Sequence, residues 1–287
     1  MEIQKQRQIL HKKICSQLIY NRHDNTGESY PNFSDSGNRS SRKIAKGIVE
    51  IIGQPIGINS ISEQTAGGLF ESLICGFIQS IFDHLGHLRP GNWRYLISHT
   101  SISGFVQYAH LSRLADIVIK DQALASAIGT DYMVKPDIVI ARHPVSDEEI
   151  NCKRPIVDDI AHIAKYSPLR LANYKPPLPI LHASISCKWT IRSDRSQNTR
   201  TEALNLIRNR KGPLPHIMAV TAEPLPTRIA ALALGTGDLD CVYHFALPEL
   251  IKAIETINNP DQLDMLTTMI DGNRLRDISD LPLDLAI

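Results

Sequence analysis

The chain has 287 residues, 43% hydrophobic and 21% charged, and can bury a sizeable core as one large α/β domain or two smaller ones. A formal net charge of +1 excludes a protein that holds nucleic acid by bulk charge, so any such surface has to be local. Five scattered cysteines, without a CxxC pair or a zinc-type Cys/His spacing, argue against a disulfide scaffold or a zinc site and point to a reducing, cytoplasmic location.

The N-terminal MEIQKQRQILHKK is charged throughout and lacks the apolar stretch of a signal peptide. Residues 2 to 19 predict a helix, and the Asn-, Ser-, Asp- and Gly-rich stretch from 20 to 42 predicts a long loop, a class of segment that is often functional. Helices are predicted over 43–52, 65–85 and 107–128. The most apolar of these stretches, from Leu69 to Leu85, contains Glu71, Gln79 and Asp83, which marks a core helix and not a membrane span. At Val134 the pattern changes: VKPDIVIAR predicts a buried strand opened by Pro136. After a mixed, Pro-containing stretch over 143–180, LHASISCKW alternates as a second strand, and HIMAVTAEP and LDCVYHF supply two more. Helices are predicted at TEALNLIRN, over 248–257 and over 262–270, and no internal repeat is present. The order predicts an α/β fold with a central mixed sheet flanked by helices. It also predicts one domain in three parts: a helix-rich 1–130, a sheet core over 131–246 and terminal helices over 247–287.

In LHASISCKW, alternation puts Leu181, Ala183, Ile185, Cys187 and Trp189 on one face and His182, Ser184, Ser186 and Lys188 on the other. Alone, this is a half-exposed strand ending in a solvated lysine. Asp137 gives the lysine a companion, because a carboxylate leading into Ile138-Val139-Ile140 is costly to bury without a cation; a solvated strand-start aspartate is the plain alternative. Glu202 lies 14 residues beyond Lys188, and its alternative is specific: Thr199-Arg-Thr-Glu202 fits a helix capping box. Glu71 projects between Ile78 and Phe82 at the edge of the apolar stripe formed by Phe70, Leu73, Ile74, Phe77, Ile78, Ile81, Phe82 and Leu85, where it calls for a metal or a lysine. Carboxylates beside a lysine suit phosphodiester hydrolysis assisted by Mg²⁺, whereas neither a Ser-His-acid set nor a Gly-rich phosphate loop stands out.

From Lys188 to Lys211 there are seven cationic residues against two acidic, a local basic stretch that is either a solvated charge run or a nucleic-acid surface. Arg192, Asp194 and Arg195 favour the second reading, since arginine pairs with guanine O6 and N7 and aspartate accepts from cytosine N4. RNRK at 208–211 suits phosphates, which position a duplex without specifying its sequence. A repair nuclease and a non-catalytic DNA-binding protein are the rival readings.

Pro136-Asp137, Ser186-Cys187-Lys188 and Glu202 together resemble a variant form of the PD-(D/E)XK nuclease active site, in which Ser186 stands in the usual acid position and Glu202 supplies the displaced carboxylate. The stretches SISCKWTIRSDR, LNLIRNRKG, ALGTG and DCVYHFAL resemble the type IIF restriction enzymes that read a CCGG core, over most of the chain and least over 143–180. The resemblance implies a cytoplasmic homotetramer, a dimer of dimers, that binds two double-stranded GCCGGC sites and cuts after the first G to leave 5′-CCGG overhangs. A cognate methyltransferase would be its functional but not physical partner. It implies that Asp137, the main-chain carbonyl of Cys187, Glu71 and Glu202 hold two Mg²⁺, with Lys188 and Ser186 completing the site. It also implies DNA contacts by Gln64, Arg228 and Asp35, the last in the loop SDSGN.

Overall fold

The computed structural model describes residues 1–97, 100–129, 132–235 and 237–287, apart from the side chains of 128 and 193–196. Helix α1 (Glu2–Gln17) leads into a short hairpin, β1 (Asn21–His23) and β2 (Ser29–Pro31). Asn38 starts α2 (Arg39–Ile52) by accepting from the Ser41 N–H, and Gly53 ends it in the left-handed region at φ 64°. Ser62 caps α3 (Glu63–Phe82) in the same way, through the Thr65 N–H. The stretch expected to be all loop over 20–42 therefore holds a hairpin and the first turn of a helix.

Next come β3 (Trp93–Ile97), α4 (His110–Val118) and α5 (Gln122–Ile128). The single helix expected over 107–128 is two, because Asp121 accepts from the Ala123 and Leu124 N–H groups and starts a new one. Beyond them lie β4 (Ile138–Arg142), α6 (Asp147–Ile150), β5 (Ile180–Lys188), α7 (Ser193–Asn209), β6 (His216–Thr221) and α8 (Pro226–Ala233). The chain closes with β7 (Cys241–His244), α9 (Leu247–Ile257), α10 (Pro260–Asp271), β8 (Leu275–Asp277) and α11 (Leu281–Asp284).

Strands β3 to β8 form one six-stranded sheet in chain order. The β3/β4 and β4/β5 pairs are antiparallel, and the β5/β6, β6/β7 and β7/β8 pairs are parallel, so the mixed α/β sheet read from the sequence is the one observed. Its two edge strands and α8 were not foreseen. Edge strands of five and three residues carry little periodicity, and α8 starts on the second of the two prolines in EPLP, a stretch that reads as loop.

Helix α3 packs on β3 and β5, with α1 and α11 against it. Glu63–Leu85 is long and apolar enough to cross a membrane, but Phe70, Ile74, Phe77, Ile78, Ile81 and Phe82 are buried in the core. The strand LHASISCKW differs from its expected half-exposed state: Leu181 to Cys187 are all buried, because β5 is central and covered on both sides. A bulge between the Ile140/Ala183 and Ala141/Leu181 pairs also shifts His182 off the face of Ser186. His182 stacks on Phe82 of α3, whereas Ser186 approaches Thr199 of α7.

Candidate active site

Antiparallel pairing sets Ile138 opposite Ile185, which brings Asp137, just ahead of β4, beside the C-terminal end of β5. Asp137 Oδ2 accepts from the Cys187 N–H at 2.7 Å, from Lys188 Nζ at 3.0 Å and from Ser186 Oγ at 3.3 Å. The aspartate and lysine side chains are 26% and 19% exposed, so the pair is open to a ligand yet shielded enough for its charge to matter. Ser186 is buried, and its Oγ also lies 3.4 Å from Thr199 Oγ1.

Helix α7 begins at Ser193, so Thr199 and Glu202 are interior to it and the capping-box alternative for Glu202 falls away. Glu202 points into the same cleft as Asp137 and Lys188. Burial pushes its carboxyl above the usual range, with Lys188 working against the rise and Asp137 adding to it. Glu71, on α3, lines the same cleft. Burial and then the charges of Asp137 and Glu71 push the Cys187 thiol well up, so what this residue offers a cation is its main-chain oxygen.

The four residues expected to hold metal are thus gathered on one cleft, and their donors are hard oxygens of the kind Mg²⁺ takes. Among the described residues no three His, Cys, Asp or Glu side chains converge as a ready-made cage. The oxygens come from four separate places, α3, the residue ahead of β4, β5 and α7, around a space of about 820 Å³.

The rim of the cleft carries the residues expected to meet bases. Gln64, exposed in the first turn of α3, lines it, as do Asp35, Arg192 and Arg228. Arg228 is paired with Asp35, whose carboxyl is held low by the Gly37 N–H and by Arg228, against burial. Arg192 meets Glu63 at 3.1 Å, both more than half exposed, an ion pair of little worth that leaves the arginine readily released. The side chains of Asp194 and Arg195 lie outside the described residues. In the basic stretch, Arg200 and Arg210 donate to the Leu234 and Ile207 carbonyls. The hairpin region adds Tyr20, Arg22 and residues 32–36 to the cleft wall, so the long polar stretch does contribute to the site.

Two further residues escaped the sequence reading. Trp189, packed on Phe33 and Phe70, walls the cleft beside Lys188. Glu223 is fully buried between the starts of α7 and α8; its only trace in the sequence is an acid set in the apolar run VTAEPLP.

A mixed sheet that presents an acid and a lysine at adjoining strand ends, beneath a rim of arginines, is the layout of a nuclease. The chain belongs to the NgoMIV restriction enzyme family, whose profile matches residues 10–287, and is therefore a type II site-specific deoxyribonuclease. It is 46% identical, over 286 residues and 98% of each chain, to the type II restriction enzyme NgoMIV of Neisseria gonorrhoeae. Solved structures with weaker likeness are the type IIF restriction endonuclease Bse634I with cognate DNA (14% identity, TM-score 0.37, 85% of this chain and 98% of that one) and a restriction endonuclease PspGI–substrate DNA complex (15%, 0.30, 99% and 89%).

Proposed function

We propose that the enzyme hydrolyses double-stranded DNA at GCCGGC, cutting after the first G to leave 5′-CCGG overhangs, with Asp137 and Lys188 at the reacting phosphate. The observation that carries this reading is the Asp137–Cys187–Lys188 constellation, with contacts of 2.7 and 3.0 Å, inside a cleft rimmed by Arg192, Arg228 and Asp35. Lys188 ends a rigid central strand, so its ammonium is held where it donates to a non-bridging phosphate oxygen or orients the attacking water. Asp137, fixed by the Cys187 N–H, lines the cleft beside the lysine. Ser186 occupies the position of the usual acid, and Glu202 and Glu71 supply the carboxylates that position lacks.

Asp137, Glu71, Glu202 and the Cys187 carbonyl would hold two Mg²⁺. When bound, these ions neutralise the phosphate and lower the pKa of a nearby water. Arg192, Asp194 and Arg195 suit the inner C·G pairs, and Arg228, Asp35 and Gln64 the outer ones. A cytoplasmic homotetramer acting on two sites, opposed by a cognate methyltransferase, belongs to the same reading. Sedimentation of the free protein tests the tetramer.

Plasmid DNA incubated with the enzyme and Mg²⁺ is expected to give discrete fragments, and sequencing their ends should return GCCGGC cut after the first G. A smear, another site, or no cutting with any divalent metal would overturn the proposal.

A further inference from the structure

A glutamate is seldom fully enclosed unless its oxygens are taken, and Glu223 is fully enclosed. Its Oε2 accepts from the Ile191 N–H at 2.9 Å and its Oε1 from the Leu225 N–H at 3.2 Å. Ile191 immediately precedes Arg192, the N-cap of α7; Leu225 is the N-cap of α8, three residues ahead of Arg228. Neither N-cap side chain, Arg192 or Leu225, accepts from the first turn of its helix. Strands β5 and β6 run parallel with Lys188 opposite Thr221, and the Ala222 N–H to Lys188 carbonyl bond at 3.3 Å lies just past that pair. Past that point the two chains diverge toward separate helices, and the Glu223 carboxylate bridges them.

We propose that Glu223 is a positioning residue that locks the starts of α7 and α8 in mutual register, so that the inner- and outer-pair readers engage one duplex as a unit. The inference rests on the reading of those helices as the DNA readers. A carboxylate accepts on both oxygens, whereas the protonated acid turns one of them into a hydroxyl that faces an N–H. Burial pushes the Glu223 carboxyl up to about 7, against the two N–H groups and the charge of Arg228, while Asp35 adds to the rise. Among the described residues these are the charged groups that act on it. His244, near the Glu223 main chain at the end of β7, is driven by burial down to about 4 and stays neutral over the range concerned. The bridge is therefore complete above about pH 7 and loses one arm as the pH falls below it.

Glu223→Gln is nearly isosteric, keeps one acceptor and replaces the other with a donor, which imitates the protonated acid at every pH. Wild type and variant are compared, with Mg²⁺, for cleavage of a GCCGGC duplex and of one altered at an outer pair, at about pH 6 and about pH 8.5, on either side of the transition. The ratio of the two rates is the readout, because losses common to both substrates cancel. In the wild type it is expected to fall about five- to tenfold from the higher to the lower pH, the worth of one ordinary hydrogen bond. In the variant it is expected to sit at the low value throughout. A purely structural role would lower thermal stability and leave the wild-type ratio independent of pH.

A wild-type ratio that does not change with pH overturns the inference, as does a variant that keeps the wild-type ratio and its pH dependence. If the variant does not fold, the wild-type profile decides alone. Failure of the wild type to give discrete fragments at either pH would strike the DNA-reading assignment itself, and this inference with it. Discrete fragments with an unchanging ratio would strike only the inference.

Discussion

Asp137 and Lys188 are 51 residues apart in the chain and 3.0 Å apart in space because an antiparallel register brings the residue before β4 to the end of β5. Lys188→Ala removes the only ammonium paired with Asp137 among the described residues, while the arginine rim stays whole. Its expected effect is loss of cutting by about 10²–10⁴-fold, typical for removing a positioned catalytic group, with binding of the GCCGGC duplex retained. Single-turnover cleavage beside a gel-shift titration separates the two; a variant that fails to bind would move Lys188 from chemistry to structure. An acid opening an apolar strand calls for a cation, but a lysine ending a strand reads alone as solvated, so in the sequence the pair was joined by the resemblance of the whole motif and not by spacing. Glu202 was legible only ambiguously, since Thr199-x-x-Glu202 also spells a capping box, and only the observed start of α7 at Ser193 removes that reading. Glu223 left only the trace of an acid in an apolar run, and its role was not legible because its partners are backbone N–H groups, which have no signature in the sequence.

At the scale of elements, the buried strands and long helices follow from their apolar spacing, whereas the bulge that turns His182 toward α3 depends on a pairing partner the strand's own sequence does not contain. The contact between α2 and α9 shows the same limit. Gly47 lies within α2, where glycine costs about 1 kcal/mol relative to alanine. The gain is proximity: a Cβ at 47 would lie 2.9 Å from the Ala253 Cβ and 3.4 Å from its Cα on α9. Gly47→Ala should therefore destabilise despite its better helix propensity, by about 1–2 kcal/mol, because the helices have to part. Gly47→Ala combined with Ala253→Gly restores the space and should recover most of that loss in a denaturant titration. If the single variant is as stable as the wild type, the helices are less tightly packed than these distances require.

Across the whole molecule, α1 lies along α3, the helix that carries Gln64 and Glu71, and is tied by Arg7 to the far end of the chain. Arg7 Nη1 and Nη2 donate to Glu249 of α9 at 2.8 and 2.6 Å, and Nε and Nη2 to Asp277 of β8 at 2.9 and 2.8 Å. These side chains are 10–17% exposed, so Arg7→Ala would leave two shielded carboxylates without their cation. The expected loss is about 2–4 kcal/mol, on the low side for breaking a buried ion pair because some solvent reaches all three groups. Burial opposes ionisation of Asp277 and of Glu249, but Arg7, joined at Asp277 by hydrogen bonds from Ser279 and at Glu249 by His11, brings both carboxyls below the usual range. An acid with a lower pKa in the folded than in the unfolded chain contributes stability that is complete above the unfolded value, about 4, and is lost as pH falls through the folded value. The stability gap between wild type and Arg7→Ala should thus be largest near neutral pH, narrow once the pH falls far enough for the variant's two shielded carboxyls, raised by burial with no cation beside them, to take up protons, and close below about pH 4. Urea unfolding across that range measures it. A gap that persists in acid would mean that Arg7 braces the two ends of the chain through packing of its stem and not through its charge.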